Sequence, residues 1–371
     1  MKNNFLGNFK FAVLGTVLLL GSCKKDNNYQ VPTTYSFDNV NYSEQTSRLS
    51  MLTELVTYSQ TANVLNAAAL DAAKMKNMFS NSNSPFTDTA LNNSSLQLKD
   101  KTVSSEQLFF EKLMDSLTLV STFSNNNSPV NGNAGILTNI ANTKSYLINA
   151  NGVELSAIIE KGLMGALLYY QATAVYLGTA QMNVDNITVV PGQGTAMEHS
   201  WDEAFGYFGV ATDFPGNLSG IKFWGKSCNE RESKMGLNST IMNAFKAGRA
   251  AISTEDLGER EVQITIIRRK WELIIAATAV SYLNRSIAAF STDAAEKHHA
   301  LSEGYGAVYS LKWGGDPTIS ASTADAVLTS LGGSSNPLQI NFYNTTLSQI
   351  QAAKDAIVAA FPSLGTVKDN L

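Results

Sequence analysis

The sequence predicts an all-α protein made of duplicated up-and-down helical bundles, and three observations carry that expectation. Apolar residues recur at helical spacing through most of the chain, the stretches between them are short or rich in asparagine and serine, and only residues 187–190 read as a strand. Composition agrees, because 44% hydrophobic and 16% charged residues are enough for a packed core and too few charges for a disordered chain. Lys+Arg 27 against Asp+Glu 31 gives a net charge of −4 and no basic stripe on which phosphates would release counterions, so nucleic acid is excluded as a partner.

The chain opens with Lys2 and Lys10 and an apolar run at 11–20, followed by Leu20-Gly21-Ser22-Cys23. An apolar run of that length is too short for a bilayer core, which takes about 20 residues, but it suits the middle of a signal peptide. Small residues before a cysteine resemble the lipobox of bacterial lipoproteins. Residues 1–22 are therefore expected to be cleaved and Cys23 to become a lipidated N-terminus anchored in a membrane; the alternative is an ordinary secretory peptide with a coincidental cysteine. Cleavage would shorten the chain from 371 to 349 residues and remove two lysines and no acids, taking the net charge from −4 to −6. Cys228 would then stand alone, so no intramolecular disulfide is expected. In Gram-negative bacteria an acid directly after the cysteine holds a lipoprotein at the inner membrane. Lys24 is not acidic, so the outer membrane is expected, on either face.

Residues 23–39 read as a polar tether with Pro32, and residues 40–371 as the helical domain, in two halves at about 40–210 and 226–371. Within it, 44–79 reads as one long helix broken at most once, and 104–120 as a helix with Ser104 and Gln107 at capping-box spacing. Asn/Ser clusters at 80–84 and 124–135 are loops. Residues 152–177 are apolar on most sides, as a central bundle helix would be, and Gly162, Gly165 and Ala166 would let a neighbour approach closely. Further helices are expected at 196–208, 239–251, 262–290, 293–309, 322–331 and 347–360. The aromatic, glycine-bearing run at 205–224 reads as a long connection pinned by its own rings or as an exposed ligand platform.

One constellation carries chemistry. His199-Ser-Trp-Asp-Glu203-Ala-Phe-Gly206 and His299-Ala-Leu-Ser-Glu303-Gly-Tyr-Gly306 share the pattern H-x-x-x-E-[AG]-[FY]-G. Histidine and glutamate at i and i+4 lie on one helical face, so two such helices facing each other would present two nitrogens and two oxygens, a set suited to zinc or iron. Convergence of His199, Glu203, His299 and Glu303 is the expectation, with Asp202, His298 and Glu160 as supporting residues; the alternative is that each pair serves its own helix. No H-E-x-x-H occurs, and Glu198-His199 would need a histidine where Thr195 stands to form the inverted zinc-peptidase motif. No G-x-S-x-G, phosphate-binding loop or dinucleotide fingerprint is present.

The lipobox-like start, the helical body from Tyr35 onward, the phrase Glu-Lys-Gly-Leu-Met-Gly-Ala at 160–166 and the His199 helix together resemble the imelysin-like family, most nearly its lipoproteins of unknown function from Bacteroidetes, some labelled iron-regulated. The resemblance implies two duplicated helical halves, a cell-envelope location, an envelope transport partner and a link to uptake of iron or another metal. Imelysins carry Gly-x-His-x-x-Glu and were first named as peptidases. Here Met197 takes the glycine position and Asp202 the glutamate position, with Glu203 one residue later. Three readings follow: a non-catalytic envelope protein holding a metal or metal complex, a glycan- or peptide-binding module offering Trp201, Trp224, Trp271 and Trp313 as stacking faces, and a metal-dependent peptidase.

Overall fold

The computed structural model describes residue 1 and residues 30–371; the apolar run and Cys23 lie outside the described residues. Twelve α-helices and one short hairpin are found among the described residues, so the protein is all-α. The long helix expected at the start is two, α1 (Ser43–Gln60) and α2 (Ala72–Ser80), and the side chain of Asp71 restarts the second by accepting from the Ala73 N–H. A single turn, α3 (Thr89–Asn92), follows. The capping box expected at Ser104 is absent. Residues Ser104–Glu106 form a 3₁₀ turn before α4 (Gln107–Ser121), because the Val103 N–H is held by the Ala166 carbonyl at 2.9 Å and fixes how the chain enters the helix.

The predicted strand at 187–190 reduces to an isolated bridge between Val190 and Gly194. The only sheet among the described residues is an antiparallel hairpin, β1 (Gly135–Thr138) and β2 (Ser145–Ile148), with Gly135 opposite Ile148. Each strand has four residues, too few for an alternation legible against the flanking asparagines. Tyr146 and Ile148 pack on Ala295.

Helix α5 (Leu155–Leu163) continues through two π-helical segments, Met164–Tyr169 and Gln171–Tyr176. These wide turns leave carbonyls that neighbouring elements satisfy: Trp224 Nε1 donates to Met164 O at 2.7 Å, Arg268 Nε to Thr173 O at 3.0 Å and Arg268 Nη2 to Leu177 O at 2.8 Å. The small residues act as expected. A Cβ on Gly162 would meet the Phe110 ring at 2.9 Å, and one on Gly165 would meet the Ser310 Cα at 2.4 Å.

The remaining helices are α6 (Ala196–Gly206), α7 (Phe223–Met235), α8 (Leu237–Ser253), α9 (Leu257–Ala289), α10 (Ala294–Ser310), α11 (Ala321–Gly332) and α12 (Leu347–Ala360). Helix α7 was not expected, because its buried residues Trp224, Cys228 and Arg231 are scattered among Lys226, Glu230, Glu232 and Lys234. It turns sharply into α8 at Gly236, whose φ of +61° favours glycine. Boxes at Thr195/Glu198 and Thr346/Gln349 cap α6 and α12. The 33-residue α9 runs through the centre and packs on α7, α8, α10 and α12, while α5 lies along α10. One continuous core spans both expected halves. Among the described residues no helix is long and apolar enough to cross a membrane.

One expectation about the surface is corrected, and one pair of alternatives is decided. The tether is packed from Thr33 onward: Lys246 Nζ donates to the Thr33 carbonyl at 2.9 Å, and Tyr35 is buried and stacked on Phe205 with centroids 3.9 Å apart. The aromatic run is no platform, since Phe205, Tyr207, Phe208, Phe214 and Trp224 are all buried; it is the connection pinned by its own rings.

Candidate functional site

The two repeated phrases occupy α6 and α10, and each faces its own surroundings. On α6, His199 Nε2 stands 3.9 Å from Glu203 Oε2, and Glu203 Oε1 accepts from Gln45 Nε2 of α1 at 2.7 Å. Both line a half-open polar cleft of about 510 Å³ with Lys101, Tyr176 and Gln181. On α10, His299 turns from Glu303. Its Nδ1 lies 2.6 Å from Glu154 Oε2, its ring stacks on Tyr146 at 4.1 Å, and Glu303 Oε2 sits 3.0 Å from Lys161 Nζ of α5. Burial opposes the charge of His299, but the hydrogen bond to Glu154 and the charges of Glu154 and Glu303 more than offset it and raise its pKa.

The four predicted ligands are therefore not assembled into one centre, and among the described residues no three His, Cys, Asp or Glu side chains are grouped to hold a metal ion. The donor set does not fit zinc or iron as expected, because the Glu203 carboxylate is held by Gln45, the Glu303 carboxylate by Lys161 and the His299 ring by Glu154. The repeat has a packing role instead. In each phrase the last glycine lets another helix approach, Gly206 against Tyr42 and Gln45, and Gly306 against Lys161, and the glutamate one turn earlier binds a polar side chain of that same helix.

The three supporting residues also take separate places. Asp202 is fully buried and accepts from Tyr35 Oη at 2.6 Å and Arg249 Nε at 3.0 Å. Burial pushes its carboxyl up to about 6 against the pull of Arg249 and Tyr35. Arg249 also pairs with Glu198, so this cluster fastens the N-terminal segment to α6 and α8. His298 is buried with Nδ1 2.8 Å from the Gly152 carbonyl, and burial, with the nearby Lys297 charge, pushes its pKa down to about 4.

His298 makes a pH prediction. Its folded pKa lies below the ordinary 6.5, so the unfolded chain binds more protons between the two values, and stability is lost as pH falls through that window. A loss of about 1.5 kcal/mol between pH 6.5 and 5 is expected from this residue. His299 has the opposite sign, since its raised pKa gives stability that is lost as pH rises. The difference in urea stability between wild type and His298→Gln across this range isolates the first effect; equal slopes would overturn it.

Glu160, the third, reaches a cavity lined by seven charged side chains. A half-open cavity of about 460 Å³ is lined by Glu160, Lys161 and Met164 of α5, Thr53, Val56, Thr57 and Gln60 of α1, Lys222, Phe223, Lys226, Ser227 and Glu230 at the start of α7, Tyr282, Glu303 and Lys144. Lys161, 6% exposed, donates to Glu160 Oε1 at 2.9 Å, and Gln60 donates to Glu160 Oε2 at 3.2 Å. Burial works against the Lys161 charge, yet Glu160 and Glu303 hold its pKa well above that of an ordinary lysine. Tyr282, pushed up to about 12 chiefly by burial, remains a neutral hydroxyl. Sequence reading singled out Glu160 and Glu303 but missed Lys161, whose signal was a second charge beside Glu160 in an otherwise apolar helix, and Lys222, for which no signal existed.

A family model described as "Domain of unknown function (DUF4856)" matches residues 32–354. The chain belongs to this family. The DUF4856 match takes in the packed N-terminal segment at Thr33 and every residue of both polar cavities. No curated protein and no solved structure matches the chain significantly.

Proposed function

We propose that this DUF4856 protein is an imelysin-like lipoprotein of the bacterial outer membrane that binds a small polar molecule, without transforming it, in the cavity around Lys161 and Glu303. The observation that carries the reading is that cavity: about 460 Å³ is within the range of small-molecule sites, and buried charged groups converge on it. The Leu20-Gly21-Ser22-Cys23 sequence supports the anchor. The stacking-face reading loses three of its four rings, because Trp201, Trp224 and Trp271 are fully buried and only Trp313 is half-buried. A link to metal uptake fits a metal complex better than a bare ion, since a complex brings its own donor atoms.

Two measurements test the proposal. Cys23→Ala is expected to release the protein from membranes, and continued retention would overturn the anchor. Native mass spectrometry of the protein after exposure to a small-molecule extract of its own cells is expected to show retained species that Thr57→Trp, which fills the cavity from the exposed face of α1, abolishes. Retention of nothing, or equal retention by the variant, would overturn the binding site. Zinc and iron salts are expected to leave the melting temperature unchanged; a rise that His199→Ala removes would reinstate the four-ligand centre.

A further inference from the structure

The charges of the Lys161 cavity are sorted by depth. At its inner end one buried ammonium, Lys161, stands against two carboxylates, the buried Glu303 and the half-buried Glu160, an excess of one negative charge. Glu303 is 5% exposed, and its Oε2, although 3.0 Å from Lys161 Nζ, has no hydrogen-bond partner in good geometry. A buried carboxylate oxygen in that state accepts a further donor favourably. Tyr282 closes this end, with Lys161 Nζ 5.9 Å from its ring centroid.

At the mouth the sign reverses. Lys144 and Lys226 are exposed and Lys222 is half-buried, while the one acid there, Glu230, is already bound by Arg231 Nη1 at 2.5 Å. Burial alone lowers the Lys222 pKa, and its ammonium donates to the neutral Ser50 hydroxyl at 3.3 Å. Lys222 is also the N-cap of the 13-residue α7, whose first turn carries no side-chain cap, so the dipole adds partial positive charge beside it.

We propose that the cavity takes a zwitterion, a small molecule with a free amino group and a free carboxylate such as an amino acid or short peptide, bound amine-inward at Glu303 and Glu160 and carboxylate-outward at Lys222 and Lys226. The proposal rests on the reading of this cavity as the ligand site. An ammonium at the inner end neutralises the excess carboxylate and supplies the missing donor to Glu303 Oε2, and the outer carboxylate gives Lys222 the anionic partner it lacks. A bare anion would meet Glu303 and Glu160 at the inner end, and a bare cation would meet the lysines at the mouth.

The test uses the mature protein and calorimetry with alanine, dialanine and trialanine, each compared with its N-acetylated form, which is only an anion, and its C-terminal amide, which is only a cation. At least one of the three zwitterions is expected to bind at least about tenfold more tightly than both of its blocked forms. Glu303→Gln should erase the preference over the N-acetylated form, and Lys222→Gln the preference over the amide, with melting temperatures confirming that both variants fold. No zwitterion preferred over both blocked forms, or preferences that survive both substitutions, overturns the proposal. The two readings fail separately: if small molecules displaced by Thr57→Trp are retained but none is a zwitterion, the site stands and the zwitterion proposal falls, whereas retention of nothing overturns the site itself.

Discussion

Arg249→Met is expected to destabilise the protein by about 4 kcal/mol, because it removes a fully buried cation that pairs with two acids at once. Arg249 is 1% exposed, reaches Asp202 Oδ1 through Nε at 3.0 Å and pairs through Nη1 with Glu198, and its guanidinium lies 5.2 Å from the Phe37 ring centroid. Removing one partner of a buried ion pair costs about 3–5 kcal/mol, since the carboxylates keep their desolvation penalty without the compensating charge. The double variant Arg249→Met/Asp202→Asn should recover part of the loss, because the fully buried acid is then neutral. Urea unfolding reads both, and an Arg249→Met protein within about 1 kcal/mol of wild type would show that water already screens the cluster. Limited proteolysis near residue 33 should accelerate in the same variant, as Asp202 and Arg249 hold the Tyr35 segment in place.

The second large effect is expected at Gly165. A Cβ there would lie 2.4 Å from the Ser310 Cα and 2.5 Å from its Oγ, so α5 and α10 must separate to accommodate one methyl group. Overpacking of a close-packed interior costs about 1–3 kcal/mol, and Gly165→Ala should fall near the top of that range, about 3 kcal/mol, because the clash is with backbone and no side chain can rotate away. Gly333→Ala is the control. It has open space but a φ of +82°, so about 1 kcal/mol of backbone strain is expected there. A Gly165→Ala loss no larger than the control would mean that the helix pair yields easily.

Gly165 and Arg249 show what was legible before the structure. Gly165 stood out as a small residue in an apolar helix, and its close approach to a neighbour was readable from that alone; that the neighbour is α10 was not. Arg249 gave no signal, since an arginine in an amphipathic stretch ordinarily lies on the wet face. The His/Glu phrases were legible as a repeat, and their residues do share one function, helix docking through Glu203 and Gly206 and through Glu303 and Gly306. The step from two pairs to one centre failed because it assumed that the helices face each other, whereas α6 docks on α1 and α10 on α5. The aromatic run divided cleanly only in three dimensions, because a ring that covers a core and a ring that offers a stacking face have the same letters.

The sequence by itself determined that this is an all-α protein and where most of its helices lie, because helical periodicity and propensity depend on contacts within four residues along the chain. Tertiary structure alone decided the long-range partners of the buried charges: Lys161 for Glu303, Glu154 for His299, Arg249 for Asp202. It also formed the π turns of α5, whose carbonyls bond to Trp224, Arg268 and Val103 from elsewhere in the chain. Local hydrogen bonds fix a helix and its faces, but which faces meet is decided by close packing among residues far apart in sequence, and the chemistry of the cavity arises only at that meeting.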